Sequence, residues 1–261
     1  MKVLPYFFIP IFLLSLNGIA QMDSLDLIIK YKPSTTYTKE EKTFFSIEIQ
    51  SLGKKKSKKE SNTQKIEEKT KYILRTEKES EDFTIPFTLK LVNAQESTIN
   101  DIIFKGKYKQ GEYPQILSVE NSSLDIQKKE TLKKLIQESL KQSLLINKKI
   151  KIGDSFSTTI PFRYPGNNLS EMTLTTTYSL REIKEGKAFF DYIQDYKLNM
   201  NTYDTNASGA GTGKGKFIYD ISHQYYISDN VDSVLEVETM IDGQPVKLKM
   251  NVHTETKNTI L

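Results

Sequence analysis

The stretch Ser208-Gly-Ala-Gly-Thr-Gly-Lys-Gly-Lys216 carries the residue types of a phosphate-binding loop. Such loops run G-x-x-x-x-G-K-[ST] between a strand and a helix, so that bare backbone amides and a lysine cradle phosphate. The register here does not fit. Counting back from Gly213-Lys214 puts Ser208 at the first glycine position, and Gly215 stands where Ser or Thr would hold a metal. The following run, Lys216 to Ile221, reads as a strand. Gly209, Gly211, Gly213 and Gly215 recur with period two, so they line one face of that strand, which continues into Phe217 and Tyr219. A strand face without side chains lets another element approach its backbone, or lets the sheet curl sharply. The expected neighbour is the chain's one helix.

Other reactive residues are sparse. The chain has no Cys and two histidines, His223 and His253. Disulfides, Cys-based zinc sites and amino-terminal lipidation at a cysteine are thereby excluded. Both histidines read as surface residues. Asp191 and Asp195 lie four apart on one strand, too far for a paired acid/base site. With no metal-spaced carboxylates, neither a metal nor a cofactor is expected.

The elements that must position any site are one helix and many strands. Leu132, Leu135, Ile136, Leu140 and Leu144 recur at spacings of three and four, which marks an amphipathic helix near 124–147. Ser122 and Asp125 are available to cap it. Its narrow apolar face must dock on a sheet. Before the helix, 25–31, 43–52, 83–91 and 99–108 read as strands, and 33–42 as a loop. Pro86 marks 83–91 as an edge or bulged strand. Residues 65–79 fit strand or helix. The lysine run within 53–63 reads as a solvated loop tip. After the helix the pattern is a meander, with Asp242-Gly243 as the strongest hairpin signal. The last seven residues are expected to fray.

Residues 1–20 resemble a secretory leader: Lys2, an apolar run from Val3 to Leu16, and the small residues Gly18 and Ala20 before Gln21. The run is shorter than the ~20 residues of a spanning helix. Removing Lys2 with the leader lowers the net charge from +4 to +3. A balanced surface of this kind is not a nucleic-acid footprint. Export without disulfides points to a bacterial envelope, so a periplasmic or secreted protein is expected.

Two resemblances carry functional implications. Gly153-Asp154-Ser155 resembles the GDS block of the GDSL esterases, and Asp220-Ile-Ser-His223 resembles their D-x-x-H block. The resemblance implies Ser155 as nucleophile, His223 as base and Asp220 as its orienter. It covers seven residues, and the alternating strands and helices of that family are missing. More broadly, the single helix, the Gly153-Asp154-Ser155-Phe156 turn and the glycine strand from Gly211 to Asp220 resemble exported bacterial β proteins of no assigned function. The plan over about 124–255 is similar to the lipoprotein-carrier half-barrels of the envelope.

These readings combine into an α+β, mostly β fold: a strongly curved antiparallel half-barrel sheet wrapping one long helix, as a single domain over 21–261. The expected function is non-enzymatic binding of a lipid or acyl chain between sheet and helix. Periodicity nominates Leu140, Leu144, Leu174, Tyr178, Phe190 and Tyr192 as lining residues. The alternatives are a packed envelope domain that binds a protein partner, and the Ser-His-Asp esterase. No transmembrane span is expected once the leader is removed.

Overall fold

Strict alternation of side chains along most of the sequence dictates strands, and antiparallel pairing of sequential strands dictates hairpins. The computed structural model describes residues 24–51, 62–93, 102–121, 124–143, 147–163, 170–201, 206–241 and 243–261. The leader, the lysine run and Leu144 lie outside these. Two meanders form one 11-stranded antiparallel sheet. The first comprises β2 (Thr36–Ser51), β3 (Asn62–Thr76), β4 (Thr84–Asn93), β5 (Ile103–Lys109) and β6 (Gln115–Glu120). The second comprises β8 (Ser155–Arg163), β9 (Ser170–Lys184), β10 (Lys187–Asn201), β11 (Asn206–Asp220), β12 (Tyr225–Ile241) and β13 (Gln244–Ile260). Pairing of β13 with β2, from Val246↔Ser51 to Ile260↔Tyr37, joins the two halves. The sheet does not close into a barrel, and β6 and β8 stand at its edges. A separate ribbon pairs β1 (Ser24–Ile28) with β7 (Asn147–Lys151).

The core occupies one end of this sheet. Leu25 and Leu27 of β1 and Ile150 of β7 are buried against Phe87, Phe104, Leu180, Phe190 and Tyr219. Tyr219 fastens the ribbon by donating its hydroxyl to Ile28 O at 2.6 Å. The helix α1 (Ile126–Ser143) adds Leu132, Ile136 and Leu140. Asp125 caps it, its carboxylate accepting Lys128 N at 2.8 Å. Gln137 pins the helix to β6 by accepting Ile116 N at 2.7 Å and donating to Pro114 O.

Several expectations change. The helix is short: 18 residues span about 27 Å, whereas the 17 residues of β13 span about 56 Å. It therefore covers one end of the sheet only. Segment 65–79 is strand, within β3. Pro86 sits in an interior strand between β3 and β5. It is tolerated because its missing N–H would face Glu77, just past the end of β3, whose carbonyl accepts from Ser34 N at 3.0 Å instead. The expected loop at 33–42 is strand from Thr36. The chain's end does not fray, because Asn258 to Ile260 pair with the start of β2.

Candidate functional site

Which residues share the core-bearing, inner face follows from the register. Along β2 and β13 it reads, from the packed end, Tyr37 and Ile260, Lys39 and Asn258, Glu41 and Thr256, Thr43 and Thr254, Phe45 and Val252, Ile47 and Met250, Ile49 and Leu248. Three zones result: a packed end, a polar belt and an apolar far end. The opposite face of the far end carries Glu48, Gln50, Lys247, Lys249 and Glu236, with Lys247 and Glu236 ion-paired at 2.7 Å.

The polar belt gathers side chains from five strands. Lys39 Nζ pairs with Glu41 Oε2 at 2.7 Å and lies 5.5 Å from the centre of the Tyr72 ring. Both charged side chains keep partial access to water, at 33% and 26% exposure. Burial opposes the Lys39 charge, but Glu41 and neighbouring tyrosine oxygens outweigh it and raise its pKa. Asp229, inward on β12, accepts the Tyr192 hydroxyl at 2.6 Å. Burial raises the pKa of Asp229 despite that bond and the nearby Lys39. Burial likewise raises those of Tyr31 and Tyr225, so both hydroxyls stay protonated.

Between this belt and the helix lies a cavity of about 60 Å³. Its sheet wall includes Lys39, Asn258 and tyrosines 37, 72, 225 and 226, and its other wall includes Tyr31, Ile136 and Leu140. Asn258 is 6% exposed, and its Nδ2 has no hydrogen-bond partner. Buried donors are nearly always satisfied.

The far end is apolar inside and incompletely covered. The core cluster ends at Tyr178, Tyr192 and Val231. Beyond it Val237 and Val246 are buried, but Phe45, Ile47, Met250, Leu248 and Leu235 are half-buried, and Ile49 is 36% exposed.

The glycines of β11 do face inward, but the helix does not lie on them. A Cβ at Gly215 would overlap the Tyr192 ring, and one at Gly211 would meet Val234 O and Leu235. Tyr192 and Tyr196 of β10 bond Asp229 and Ser233 of β12, at 2.6 and 3.1 Å, across β11. The glycine face is where the sheet curls and its two neighbouring strands meet.

The nominated lining residues divide among these zones. Tyr178, Phe190 and Tyr192 join Phe156 and Phe217 in an aromatic cluster; Phe190 and Phe217 stack at 4.4 Å. Leu140 borders the small cavity. Leu174 is inward and half-buried, paired with Tyr196. Lys39, Glu41, Asp229 and Asn258 escaped the sequence reading, because alternating polar residues look like loop or like an outward face. The pair Lys39 and Glu41, opposite in sign and two apart, is the signal that marks one strand face.

The esterase constellation is not assembled. Ser155 Oγ bonds Ser179 Oγ at 2.7 Å. Three strand spacings, about 14 Å, separate β8 from β11, whose closing turn carries His223. Only the Asp220–His223 half is brought together, with Asp220 Oδ2 3.0 Å from His223 Nδ1; Asp220 also holds that turn, accepting Ser222 Oγ at 2.7 Å and His223 N at 2.9 Å. Burial raises its pKa, but these bonds prevail and hold it at about 2. His253 lies on the outer face between Asp232 (2.7 Å) and Glu255 (3.2 Å), whose hydrogen bonds raise its pKa. Among the described residues no cluster of His, Asp or Glu could hold a metal, and no helix is long and apolar enough to cross a membrane.

No protein-family model matches the chain, and no curated protein matches it.

Proposed function

We propose that this chain is a non-enzymatic protein of the bacterial cell envelope that holds a lipid or acyl chain against the inner face of a half-barrel sheet. Its leader directs export, and the mature chain begins near Gln21. The observation that supports this reading is the inner face of the far end, where Phe45, Ile47, Met250 and Leu248 continue as an apolar strip after the core cluster has ended. Fully covering one large apolar side chain is worth about 1.5–3 kcal/mol, so such a face favours an apolar occupant. The ligand's tail belongs beyond the helix rather than beneath it. The seam beneath the helix offers about 60 Å³, whereas ligand sites begin at roughly 300 Å³.

That tight seam also favours a second reading, a packed domain whose far end binds a protein. Native mass spectrometry of protein purified from its host, before and after lipid extraction, separates the two. The proposal expects an added mass that extraction removes. A clean apo mass, with no uptake of added fatty acid or phospholipid, would overturn it.

A further inference from the structure

The inner face orders its chemistry along the strands, and that order describes a ligand. From Lys39 and Asn258 to Thr43 and Thr254 the inward residues are polar, over four residue steps or about 13 Å. From Phe45 and Val252 to Ile49 and Leu248 they are apolar, over a similar length. A simple fatty acid matches this poorly. Its single carboxylate would sit at one point of the strip and drag methylenes past Glu41, Thr43, Thr254 and Thr256, or else leave Asn258 unreached.

Two observations within the strip point to the head group. The Asn258 amide is 94% buried by its 6% exposure, borders the cavity and has an unused donor. It calls for an acceptor oxygen. Lys39 stands beside it in register and is only partly enclosed. The inward charges are of both signs, Lys39 against Glu41 and Asp229, with Glu68 further along β3. An anion alone would compete with Glu41 for Lys39, and a cation alone would leave Asn258 without a partner. A head carrying both an oxyanion and an ammonium can lie antiparallel to the Lys39–Glu41 pair, each charge opposite its complement.

We infer that the polar belt is the head-group site for a zwitterionic phospholipid, with the phosphate at Asn258 and Lys39, the ammonium towards the belt's carboxylates and the acyl tail along Phe45, Ile47 and Met250. This inference rests on the lipid-binding reading and specifies which lipid.

The test compares 1-palmitoyl-lysophosphatidylethanolamine with palmitate, equal in tail, by calorimetric titration below their micelle concentrations. The wild type is expected to bind the phospholipid at least tenfold more tightly. Asn258→Leu and Lys39→Met should each weaken the phospholipid about tenfold and leave palmitate unchanged. Circular dichroism identifies any variant that fails to fold, and Asn258→Ala then replaces Asn258→Leu. Palmitate binding as tightly as the phospholipid would overturn the head-group site alone, as would variants that weaken both ligands equally or neither. Binding of neither ligand by the wild type would overturn the lipid-binding reading with it.

Discussion

Tyr37 and Ile49 lie on the same face of the same strand, yet Tyr37 is 3% exposed and Ile49 is 36% exposed. The backbone geometry, the alternation and the neighbouring strands β3 and β13 are common to both. What differs is the layer above. At Tyr37 the segment following β1 and the β11–β12 turn bring Tyr31 and Tyr225 into ring contact at 5.1 and 5.0 Å. At Ile49 the core cluster has ended. A sheet longer than its core thus divides into an end that stabilises the fold and an end that presents a surface. The polar belt is the boundary between them.

The comparison is most easily broken by truncating one large side chain at each end. Phe104 is fully buried. Phe104→Ala should cost about 3–5 kcal/mol, and Phe45→Ala only about 1 kcal/mol, because cavity cost scales with enclosure. Chemical denaturation measures both, and equal losses would mean that the far end is core as well.

A smaller loss is expected at the curl. Gly215→Ala places a methyl group in the Tyr192 ring, and relief requires the ring to leave Asp229. A cost of about 2 kcal/mol is expected, with a lowered melting temperature. Gly111→Ala, at a turn where a Cβ meets no atom within 4 Å but φ is +85°, serves as a backbone-only control.

The belt should respond most gently and with a definite pH sign. The folded pKa of Asp229 is raised above its unfolded value by burial. The folded state therefore binds the proton more readily, and stability at this site falls as pH rises through the folded pKa. Asp229→Asn keeps an acceptor for Tyr192 and removes the buried charge. It should raise the melting temperature at pH 7 by ~2–3 °C, worth about 1 kcal/mol in a chain of this size. The gain should shrink on acidification below the folded pKa. A loss at pH 7 would show that the ionised carboxylate is stabilised by Lys39 instead.

Strands were legible where their apolar residues alternate, as in Ile85 to Leu91 and Met172 to Leu180, although Phe83, which continues that alternation, lies before β4 and is exposed. The glycine strand was legible for the same reason, since its period of two survives the loss of side chains. Its contacts were not, because Tyr192 reaches across from β10 through a register that only the folded sheet fixes. The start of β2 was hidden by Lys39 and Glu41, which face inward as a compensated pair, a burial that charge patterning does not announce. The end of β13 was hidden likewise, because Thr256 and Asn258 look solvated yet are 6% exposed. The helix was legible from its Leu and Ile spacing, and its described extent is Ile126–Ser143.

The central claim is that the inner face of the far end receives an acyl chain. Photo-crosslinking with a palmitoyl lipid carrying a diazirine near the tail end, read by peptide mass spectrometry, tests it most directly. The account predicts label on Phe45, Ile47, Leu248 and Met250, and none on their outward neighbours Glu48 and Lys249. Label confined to the outer face or to α1, or none above an unfolded control, would contradict it.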